Sequence, residues 1–370
     1  MKVAIVSPYD YARPSGVNDH VNNLSNYLTN QNIISKIIAP SSKSKGDQKN
    51  NFIPMGKPIP IPSGGSIARV SLSVWLRPKV ANILEQGKFD VIHLHEPFAG
   101  AITLSALVSN ITNNPIKIAT FHSYKGSGLY KIVSHKLLEK YSKFLDGRIA
   151  VSKPAKDHIY KFLPADYKII PNGVDIDKFK GNNPFSEYLD NKINILFLSR
   201  LEKRKGLKYL ISAYVKLKSQ KPNVRLIVVG GGKVDSESLK ILSNHPVEDI
   251  IFAGEVSEED KIRYLHSADI FCAPATGQES FGIILLEAMA AGIPIVATNI
   301  DGFRQVISDR EDSLLVPPKN IDALTQALLE LVNKPILRKT LIQAGHLKVA
   351  FYARDIISEK VVNYYKYLSR

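Results

Sequence analysis

The chain has 370 residues and a mass of 41.1 kDa, which exceeds the size of an ordinary single-core domain and predicts two domains. Hydrophobic residues make up 44% of it and charged residues 22%, a composition that excludes a disordered or fibrous protein. A lone cysteine, Cys272, excludes a disulfide framework and cysteine-ligated metal centres. No apolar stretch approaches the ~20 residues of a membrane span, and the N-terminus lacks a signal-peptide pattern. We therefore expect a cytoplasmic protein.

The formal net charge of +15 is unevenly distributed along the chain. Residues 1–172 carry 22 Lys and Arg against 10 Asp and Glu, whereas residues 173–370 carry 27 against 24. This imbalance indicates an anionic partner for the first half, such as nucleic acid, acidic lipid or a phosphorylated substrate. A solvated lysine-rich surface would give the same count. Because the sequence contains no zinc-finger spacing, RNP-type aromatic motif or arginine-rich arm, we expect no nucleic-acid partner.

Short β-rich apolar runs alternate with helical patterns along most of the chain, beginning with a strand and then a helix around Val17–Leu28. The first series of predicted strands is Val3–Ser7, Ser35–Ala39, Val91–Leu94, Lys117–Phe121, Gly147–Val151 and Lys168–Ile170. The second series is Asn194–Leu198, Arg225–Val229, Ile250–Ala253, Ile270–Ala273 and Ile295–Ala297. Such alternation predicts an α/β protein with two doubly wound parallel sheets, whose ligands bind at the carboxyl ends of the strands.

The composition between and after the two series suggests the domain boundaries. Residues 173–192 are polar and rich in Gly, Asn and Pro, which predicts a linker between domains at 1–172 and 193–352. An amphipathic pattern predicts a C-terminal helix at about 353–370. Residues 41–65, rich in Ser, Lys, Gly and Pro, are expected to form a long loop of the first domain.

Two glutamates with seven residues between them, Glu279 and Glu287, follow the predicted strand Ile270–Ala273. Ser280 or Gly282 can begin a helix there, and the free N–H groups of a helix start attract phosphate. One carboxylate could then reach a sugar hydroxyl and the other a ribose, with a diphosphate between them. The alternative is that Glu279 only interacts with the dipole of the helix start and that Glu287 is a solvated residue. An acidic residue within an apolar helix argues against it, because burying an unpaired charge is costly.

Two cations follow the strand Asn194–Leu198 at its carboxyl end. Arg200 and Lys205 can converge on a diphosphate, the first as a bidentate fork and the second as a point charge. Their neighbours Lys203 and Arg204 are expected to belong to a solvated basic turn.

In the first half, Gly16 lies between the first strand and the first helix, where its backbone could approach an anionic ligand closely. His122 follows a predicted strand and is expected at the same edge of the sheet, although a core histidine would fit the pattern too. His93-Leu94-His95-Glu96 and Asp175-Ile176-Asp177 imitate metal-binding motifs. The first lies on a strand with no distant ligand, and the second lies in the linker, so we expect no metal site.

Three segments resemble the retaining glycosyltransferases of family 4: Pro171–Asp175, Arg200 with Lys205-Gly206, and Glu279 to Glu287 followed by Ala288-Met289-Ala290. The resemblance covers essentially the whole chain. It implies the GT-B fold, in which two Rossmann-like domains face each other across a cleft and the C-terminal helix returns to the N-terminal domain.

Further segments are similar to the phosphatidylinositol mannosyltransferases within that family. These segments are Ser7-Pro8-Tyr9, Gly16-Val17, Ile59–Pro62 with Ala68-Arg69, His93–Pro97 and Thr120-Phe121-His122. The similarity implies a retaining hexosyltransferase that needs neither metal nor cofactor. Its donor would be a nucleotide-sugar, most simply GDP-mannose, and its acceptor an anionic phospholipid such as phosphatidylinositol.

The resemblance also implies roles for individual residues. The catalytic set would be His122, Arg200, Lys205 and Glu279. The donor-binding set would be Gly16, Arg200, Lys205, Glu258, Glu279, Phe281, Gly282, Ile283 and Glu287. The acceptor-binding set would be Tyr9, Asn18, Arg69 and Ser123. Because a carboxylate accepts two hydrogen bonds from guanine but one from uracil, Glu258 favours GDP over UDP.

A membrane-facing surface is expected on two grounds. Lys136, Lys140 and Lys143 recur at helical spacing within 130–145, among apolar positions that include Ile132 and Val133. The single tryptophan, Trp75, lies near Arg69, Arg77 and Lys79 in the sequence. Basic residues on an amphipathic surface bind an anionic leaflet, so we expect a peripheral protein at the inner face of the cell membrane. A core-packed helix with a solvated lysine edge remains the alternative.

Two other functions remain open on the sequence alone. One is a glycosyltransferase that uses a UDP- or GDP-sugar with a soluble sugar-phosphate or polysaccharide acceptor. The other is a non-catalytic nucleotide or nucleic-acid binding module, against which the paired cations and carboxylates argue.

Overall fold

A computed structural model describes residues 1–43, 51–63, 66–124, 135–181 and 183–370. The chain divides into two compact units, of which unit 1 comprises Met1–Gly173 with Arg354–Arg370 and unit 2 comprises Val174–Ala353. The segment 174–192, expected to be a linker, is part of unit 2. The physical reason is that Phe179 and Tyr188 are buried in the core of that unit despite their polar surroundings in sequence.

Unit 1 is built on a seven-stranded sheet of order β3-β2-β1-β6-β7-β8-β9, in which every strand pairs in parallel with its neighbours. Its strands are β1 Lys2–Val6, β2 Ile34–Ala39, β3 Phe52–Pro54, β6 Val91–His95, β7 Ile116–Phe121, β8 Gly147–Ala150 and β9 Lys168–Ile169. An antiparallel hairpin of β4 Ile59–Ser63 and β5 Ser66–Val70 is separate from that sheet. Its helices are α1 Gly16–Asn30, α2 Arg77–Gly87, α3 Ala101–Val108, α4 His135–Ser142 and α5 Lys153–Tyr160.

The expectation of a long loop over 41–65 is wrong for its described part. Phe52 is buried and pairs with Ile37 of β2, so the sheet gains an edge strand. Ile59 and Ile61 alternate with prolines and pair with Val70 and Ala68 across the hairpin. Proline is tolerated here because the hairpin has only two strands and both are edges. The Pro- and Ser-rich composition concealed this alternation.

Unit 2 contains a six-stranded parallel sheet of order β12-β11-β10-β13-β14-β15. Its strands are β10 Ile193–Leu198, β11 Val224–Val229, β12 Ile250–Gly254, β13 Ile270–Ala273, β14 Ile295–Thr298 and β15 Ser313–Val316. Its helices are α6 Leu207–Gln220, α7 Ser236–Asn244, α8 Glu258–His266, α9 Ile283–Ala290, α10 Ile321–Asn333 and α11 Pro335–Ala350. Every strand predicted in either series is confirmed to within two residues at each end.

The last helix, α12 Arg354–Leu368, packs against α1 in unit 1. Ile357, Val361 and Tyr365 are buried with Val21 and Leu24 of α1. The C-terminal helix therefore completes the core on one face of the first sheet, as the family resemblance implied. Within the described part of the chain, no helix combines the length and apolar character needed to cross a bilayer.

Candidate active site

The carboxyl end of β10 carries the basic segment of unit 2. A 3-10 turn at Lys203–Lys205 leads to Gly206, which has φ +78° and precedes α6. A Cβ at Gly206 would lie 2.0 Å from the carbonyl oxygen of Pro274, after β13. Glycine is thus required both for the left-handed backbone and for close approach of the two loops. This approach holds the basic segment beside the segment that carries Glu279.

Glu279 accepts two cations in a nearly closed site. Its Oε1 lies 2.6 Å from Arg204 Nη1 and 2.7 Å from Lys205 Nζ, and its side chain is 14% exposed. Arg204 Nη2 also lies 2.8 Å from Glu202 Oε2, while Arg200 Nη1 lies 3.1 Å from Glu202 Oε1. These five residues, which we call the cation network, hold three positive charges and two negative ones. The network therefore carries a net charge of one positive unit, which suits an anionic ligand.

The expectation that Arg204 lies in a solvated turn is wrong. Its side chain is only 15% exposed because it bridges Glu202 and Glu279, whereas that of Lys203 is 78% exposed. Burial lowers the pKa of the Lys205 ammonium, and neighbouring Arg204 lowers it further, while Glu279 and Glu202 oppose both effects. Arg200 differs from these two cations since 56% of its side chain is exposed. It is the most exposed member of the cation network.

Helix α9 begins beside Glu279, at Gly282 as one of the two predicted starts. Gly282 has φ +100°, and a Cβ there would lie 2.8 Å from the Phe303 ring. Phe281 is buried in the core, and Ile283 is the first helical residue. The structure thus gathers Glu279, Phe281, Gly282 and Ile283 at one helix N-terminus, whose free N–H groups favour negative charge.

Glu287 is paired, which explains how an acidic residue occurs inside this apolar helix. Lys261 Nζ of α8 lies 2.9 Å from Glu287 and 2.9 Å from Glu258. Burial acts to lower the pKa of Lys261, but the two carboxylates outweigh it and raise the pKa above its usual value. Lys261 therefore stays charged and links the two acidic residues. Glu258 is half exposed, whereas Glu287 is 12% exposed.

In unit 1, the carboxyl ends of β6 and β7 are joined through Glu96. Its buried Oε1 accepts the backbone N–H groups of His122, at 2.6 Å, and Ser123, at 2.7 Å. Tyr9 is close to Glu96 and forms a hydrogen bond with Ser123. Burial and then the charge of Glu96 raise the pKa of the Tyr9 phenol, while the hydrogen bond with Ser123 opposes both effects. Three residues of the predicted site, Tyr9, His122 and Ser123, are therefore gathered around a carboxylate to which the sequence assigned no role.

Behind His122 lies a cluster of four buried histidines, which we call the histidine cluster: His20, His93, His95 and His122. His122 Nε2 lies 2.9 Å from His95 Nδ1, and the His95 ring stacks on that of His93 at 4.5 Å. The His20 ring meets the rings of His95 and His122 edge-on, at 5.4 and 5.2 Å. The cluster brings α1, β6 and the end of β7 together.

Burial lowers the pKa of every member of the histidine cluster. The pKa falls to about 4 in His20 and to about 3 in His93, where the nearby His20 adds to the effect of burial. The pKa values of His95 and His122 lie well below the usual value, because burial and the other histidines both disfavour a positive charge. All four rings are therefore neutral near pH 7.

The remaining predicted residues of unit 1 occupy different settings. Asn18 is buried, and its Nδ2 donates to the carbonyl oxygens of Asp10 and Arg13, so it shapes the loop before α1. Arg69 is exposed on β5, next to Val70, which forms an isolated bridge with Tyr9. Gly16 is the first residue of α1, which Ser15 caps.

The two motifs that imitate metal sites are engaged elsewhere. His93 Nδ1 lies 2.6 Å from the Tyr365 hydroxyl and His93 Nε2 lies 2.6 Å from Thr120 Oγ1. Asp177 pairs with Lys180 at 2.6 Å. Across the described ranges, no group of three or more His, Cys, Asp or Glu side chains could hold a metal ion. Metal independence itself stays a prediction.

Comparison with known proteins agrees with this arrangement. The family model "Glycosyltransferase Family 4" matches residues 14–178, and "Glycosyl transferases group 1" matches residues 180–348. A phosphatidyl-myo-inositol mannosyltransferase of Mycobacterium tuberculosis is 35% identical, over 99% of this chain and 97% of its own. This chain belongs to glycosyltransferase family 4. A second family member, the phosphatidyl-myo-inositol mannosyltransferase of Mycolicibacterium smegmatis, is 34% identical over 100% of this chain and 94% of its own.

Solved structures confirm the fold of this family 4 glycosyltransferase as GT-B. A glycosyltransferase from Rickettsia africae matches with a TM-score of 0.81 and 21% identity, over 100% of this chain and 98% of its own. The Anabaena protein HepE in complex with UDP matches with a TM-score of 0.74 and 16% identity, over 99% of this chain and 100% of its own. At these identities the likeness concerns the fold alone.

Sequence reasoning missed four residues that organise the site: Arg204, Lys261, Glu96 and His95. The sequence position of Arg204 indicated a role, because a third cation between Arg200 and Lys205 is a further possible partner of Glu279. The position of Glu96 indicated a role too, because it directly follows the carboxyl end of β6. Lys261 and the pairing of His95 with His122 depend on contacts between distant segments, which no spacing in the sequence encodes.

Proposed function

We propose that this chain transfers mannose from GDP-mannose to phosphatidylinositol, or a closely similar anionic lipid, at a membrane surface and with retention of anomeric configuration. The main support for this proposal is the 34–35% identity, over nearly the full length, to proteins named phosphatidyl-myo-inositol mannosyltransferases. Support also comes from unit 2, where Lys205 contacts Glu279 and where Lys261 links Glu258 to Glu287. In unit 1, Glu96 accepts the backbone N–H groups of His122 and Ser123.

The cation network supplies the chemistry that donor cleavage needs. When the bond from the sugar to the diphosphate breaks, negative charge develops on the leaving phosphate. Arg200, Arg204 and Lys205, together with the N-terminus of α9, would stabilise that charge from fixed positions. The diphosphate would compete with Glu279 and Glu202 for the cations. Glu279 would then be free to accept a hydrogen bond from a sugar hydroxyl. In a retaining reaction without an enzyme nucleophile, the acceptor oxygen attacks from the same face and the departing phosphate takes its proton.

Glu258 gives the preference for guanine a testable form. We expect GDP to bind more tightly than UDP, since a carboxylate accepts from both N1–H and the exocyclic amine of guanine. Replacing Glu258 with Gln should weaken GDP binding by about tenfold, in line with the ~1.5 kcal/mol of a charge-assisted hydrogen bond, and leave UDP binding nearly unchanged. Calorimetry with both nucleotides measures this. Glu259→Gln, also exposed in α8, is the matched control. Tighter binding of UDP than GDP by the wild type would reverse the assignment of the base.

Two exposed surfaces of unit 1 support a membrane acceptor. The first, which we call the tryptophan surface, presents Val74 and Trp75 at 69% and 89% exposure, directly before the exposed Arg77 and Lys79. Large apolar side chains exposed together mark a contact site, and tryptophan favours the membrane interface. Flanking cations add attraction to anionic lipid.

The second surface is the lysine stripe on and after α4. Lys136, Lys140 and Lys143 are exposed there, while Leu138 between them is buried. The predicted apolar positions Ile132 and Val133 lie outside the described residues. Leu137 and Phe144 are 39% and 44% exposed, so this surface combines cations with some apolar area.

Binding to vesicles tests both surfaces. We expect the protein to sediment with vesicles that contain phosphatidylinositol. Changing all three lysines of the lysine stripe to Glu should abolish sedimentation without weakening donor binding. Trp75→Ala should weaken binding to the vesicles severalfold. The physical reason is the loss of about 1 kcal/mol per cation near the surface and of the apolar anchor, respectively.

The matched control carries the same change of charge on unit 2, through Lys233→Glu, Lys240→Glu and Lys339→Glu, at exposed positions. It should still sediment with the vesicles. Undiminished sedimentation of both the stripe variant and Trp75→Ala would contradict the proposed membrane contact.

The activity assay follows radiolabelled mannose from GDP-mannose into the organic-solvent phase, with phosphatidylinositol vesicles and EDTA present. We expect label in the lipid fraction and an α-linkage in the product. Label that appears only with a soluble acceptor, or only with a UDP-sugar, would replace the proposed substrates. Loss of activity in EDTA that Mg²⁺ or Mn²⁺ restores would overturn metal independence.

A further inference from the structure

His122 is held on two sides by groups that its sequence position does not explain. Its backbone N–H donates to Glu96, and its ring Nε2 lies 2.9 Å from Nδ1 of His95. Both partners come from the end of β6, the strand beside β7. The ring contacts described for His122 therefore use Nε2 for hydrogen bonding and leave Nδ1 as the nitrogen that a ligand can meet.

The hydrogen bond between the two rings has two possible directions. Either His95 Nδ1–H donates to His122 Nε2, or His122 Nε2–H donates to His95 Nδ1. Both rings are neutral near pH 7, so each carries one proton and the direction decides which nitrogen of each ring holds it. The bond thus couples the tautomers of the two histidines.

His95 Nε2 decides between these directions. This atom is buried and has no hydrogen-bond partner among the described residues. If His122 donated, the His95 proton would sit on Nε2 as an N–H group without an acceptor. If His95 donates, its Nε2 is unprotonated, and the only energetic penalty is that of a buried lone pair without a donor. Orphaned buried N–H groups are rarer than under-used acceptors, which favours donation by His95.

We propose that His95 is a positioning residue that donates from Nδ1–H to His122 Nε2 and so fixes His122 as the Nδ1–H tautomer. His122 then presents a neutral N–H donor, which suits a hydroxyl or phosphate oxygen and cannot accept a proton as a general base at that nitrogen. The tautomer follows from the histidine cluster alone. The oxygen ligand rests on the proposed function, in which His122 lies beside the reacting sugar.

The tautomers can be read in the free protein. Protonated and unprotonated imidazole nitrogens have well-separated ¹⁵N shifts in long-range ¹H–¹⁵N spectra of deuterated, ¹⁵N-labelled protein, and His122→Gln identifies the signals of His122. We expect protonated Nδ1 in His122 and in His95. A wild-type His122 protonated at Nε2 would overturn the proposal, whether or not the protein transfers mannose.

Two variants of His95 test the coupling. His95→Asn keeps a donor near the Nδ1 position, so His122 should retain its tautomer. His95→Asp supplies an acceptor, so His122 should become protonated at Nε2; an unchanged His122 in a folded Asp variant would contradict the proposal. His93→Asn is the matched control, because His93 stacks on His95 but makes no hydrogen bond to His122.

Kinetics separate positioning from a merely structural role. His95→Asp should lower kcat by about tenfold or more with the KM for the donor changed by less than about threefold, whereas His95→Asn should stay within about threefold of wild type in both. Equal losses in the Asp and Asn variants would show that His95 acts only through packing. If the wild type shows the expected tautomers but transfers no sugar, the proposed function fails and the tautomer assignment stands.

Discussion

Replacing Lys205 with Ala should lower turnover at least about tenfold, because one charge-assisted contact to a diphosphate in a nearly closed site contributes ~1.5–3 kcal/mol. The Lys205 side chain is 18% exposed and lies 2.7 Å from Glu279, so its charge is poorly screened by solvent. Arg204→Ala should have an effect at least as large, since Arg204 contacts both acidic members of the cation network. The measurement is kcat at saturating donor, together with calorimetric binding of GDP.

Lys203→Ala is the matched control for these variants. Lys203 lies in the same 3-10 turn but is 78% exposed, and its nearest carboxylate is Glu237 at 3.9 Å. Its removal should leave kcat and GDP binding within about twofold of wild type, as expected for a weak surface pair. Near-normal turnover in both Lys205→Ala and Arg204→Ala would mean that the diphosphate binds elsewhere.

Arg200→Ala stays a test of the sequence-based assignment. Arg200 is more exposed than the other members of the cation network and pairs with Glu202. The loss caused by its removal therefore depends on how far the ligand buries it. We expect at least a tenfold loss of turnover, measured in the same assay. An unchanged turnover would confine the diphosphate to Arg204, Lys205 and the start of α9.

The fold could be predicted from the sequence because hydrophobic patterning specifies parallel strands strongly. Buried strands such as Val91–His95 and Val224–Val229 are mainly apolar and are set between helical segments. The exceptions have physical reasons. Ser313–Val316 is a short edge strand after a turn, and the hairpin from Ile59 is rich in proline. Phe179 and Tyr188 show that two aromatic anchors can fix a polar segment to a core.

The candidate site could be predicted where a residue's place depends on one strand and the turn after it. Arg200, Lys205, Glu279 and His122 all follow strand ends, where α/β proteins bind ligands. Pairing between segments could not be predicted in this way. The salt bridge from Lys261 in α8 to Glu287 in α9 depends on how two helices pack over the sheet. Composition shows that charges exist and not which of them meet.

Acid should destabilise unit 1 well before its carboxylates are protonated, because of the histidine cluster. Histidines in an unfolded chain bind protons below about pH 6.5, whereas the folded pKa is about 4 in His20 and about 3 in His93. Below pH 6.5 the unfolded state therefore binds more protons than the folded state, and the free energy of unfolding falls as pH falls toward about 4. Above pH 6.5 the four rings are neutral in both states, so they add no pH dependence there.

The expected slope is up to about 1.4 kcal/mol per pH unit for each histidine. Between pH 7.5 and 5.0 this amounts to roughly 2 kcal/mol for each ring, so the cluster can remove most of the stability of an ordinary domain. Urea unfolding followed by circular dichroism at several pH values measures the effect. His93→Gln should lose stability at pH 7.5, since it gives up contacts to Tyr365 and Thr120. It should nevertheless show a shallower pH dependence than wild type, by about one histidine.

The matched control is His245→Gln, at an exposed position in unit 2. It should leave both the stability and its pH dependence unchanged. Glu96 lies at the edge of the cluster and accepts the backbone N–H groups of His122 and Ser123. If His93→Gln kept the full wild-type slope between pH 7.5 and 5.0, the acid sensitivity would have to come from other groups. A shallower slope would show that the burial which keeps the imidazoles of the histidine cluster uncharged also makes unit 1 sensitive to acid.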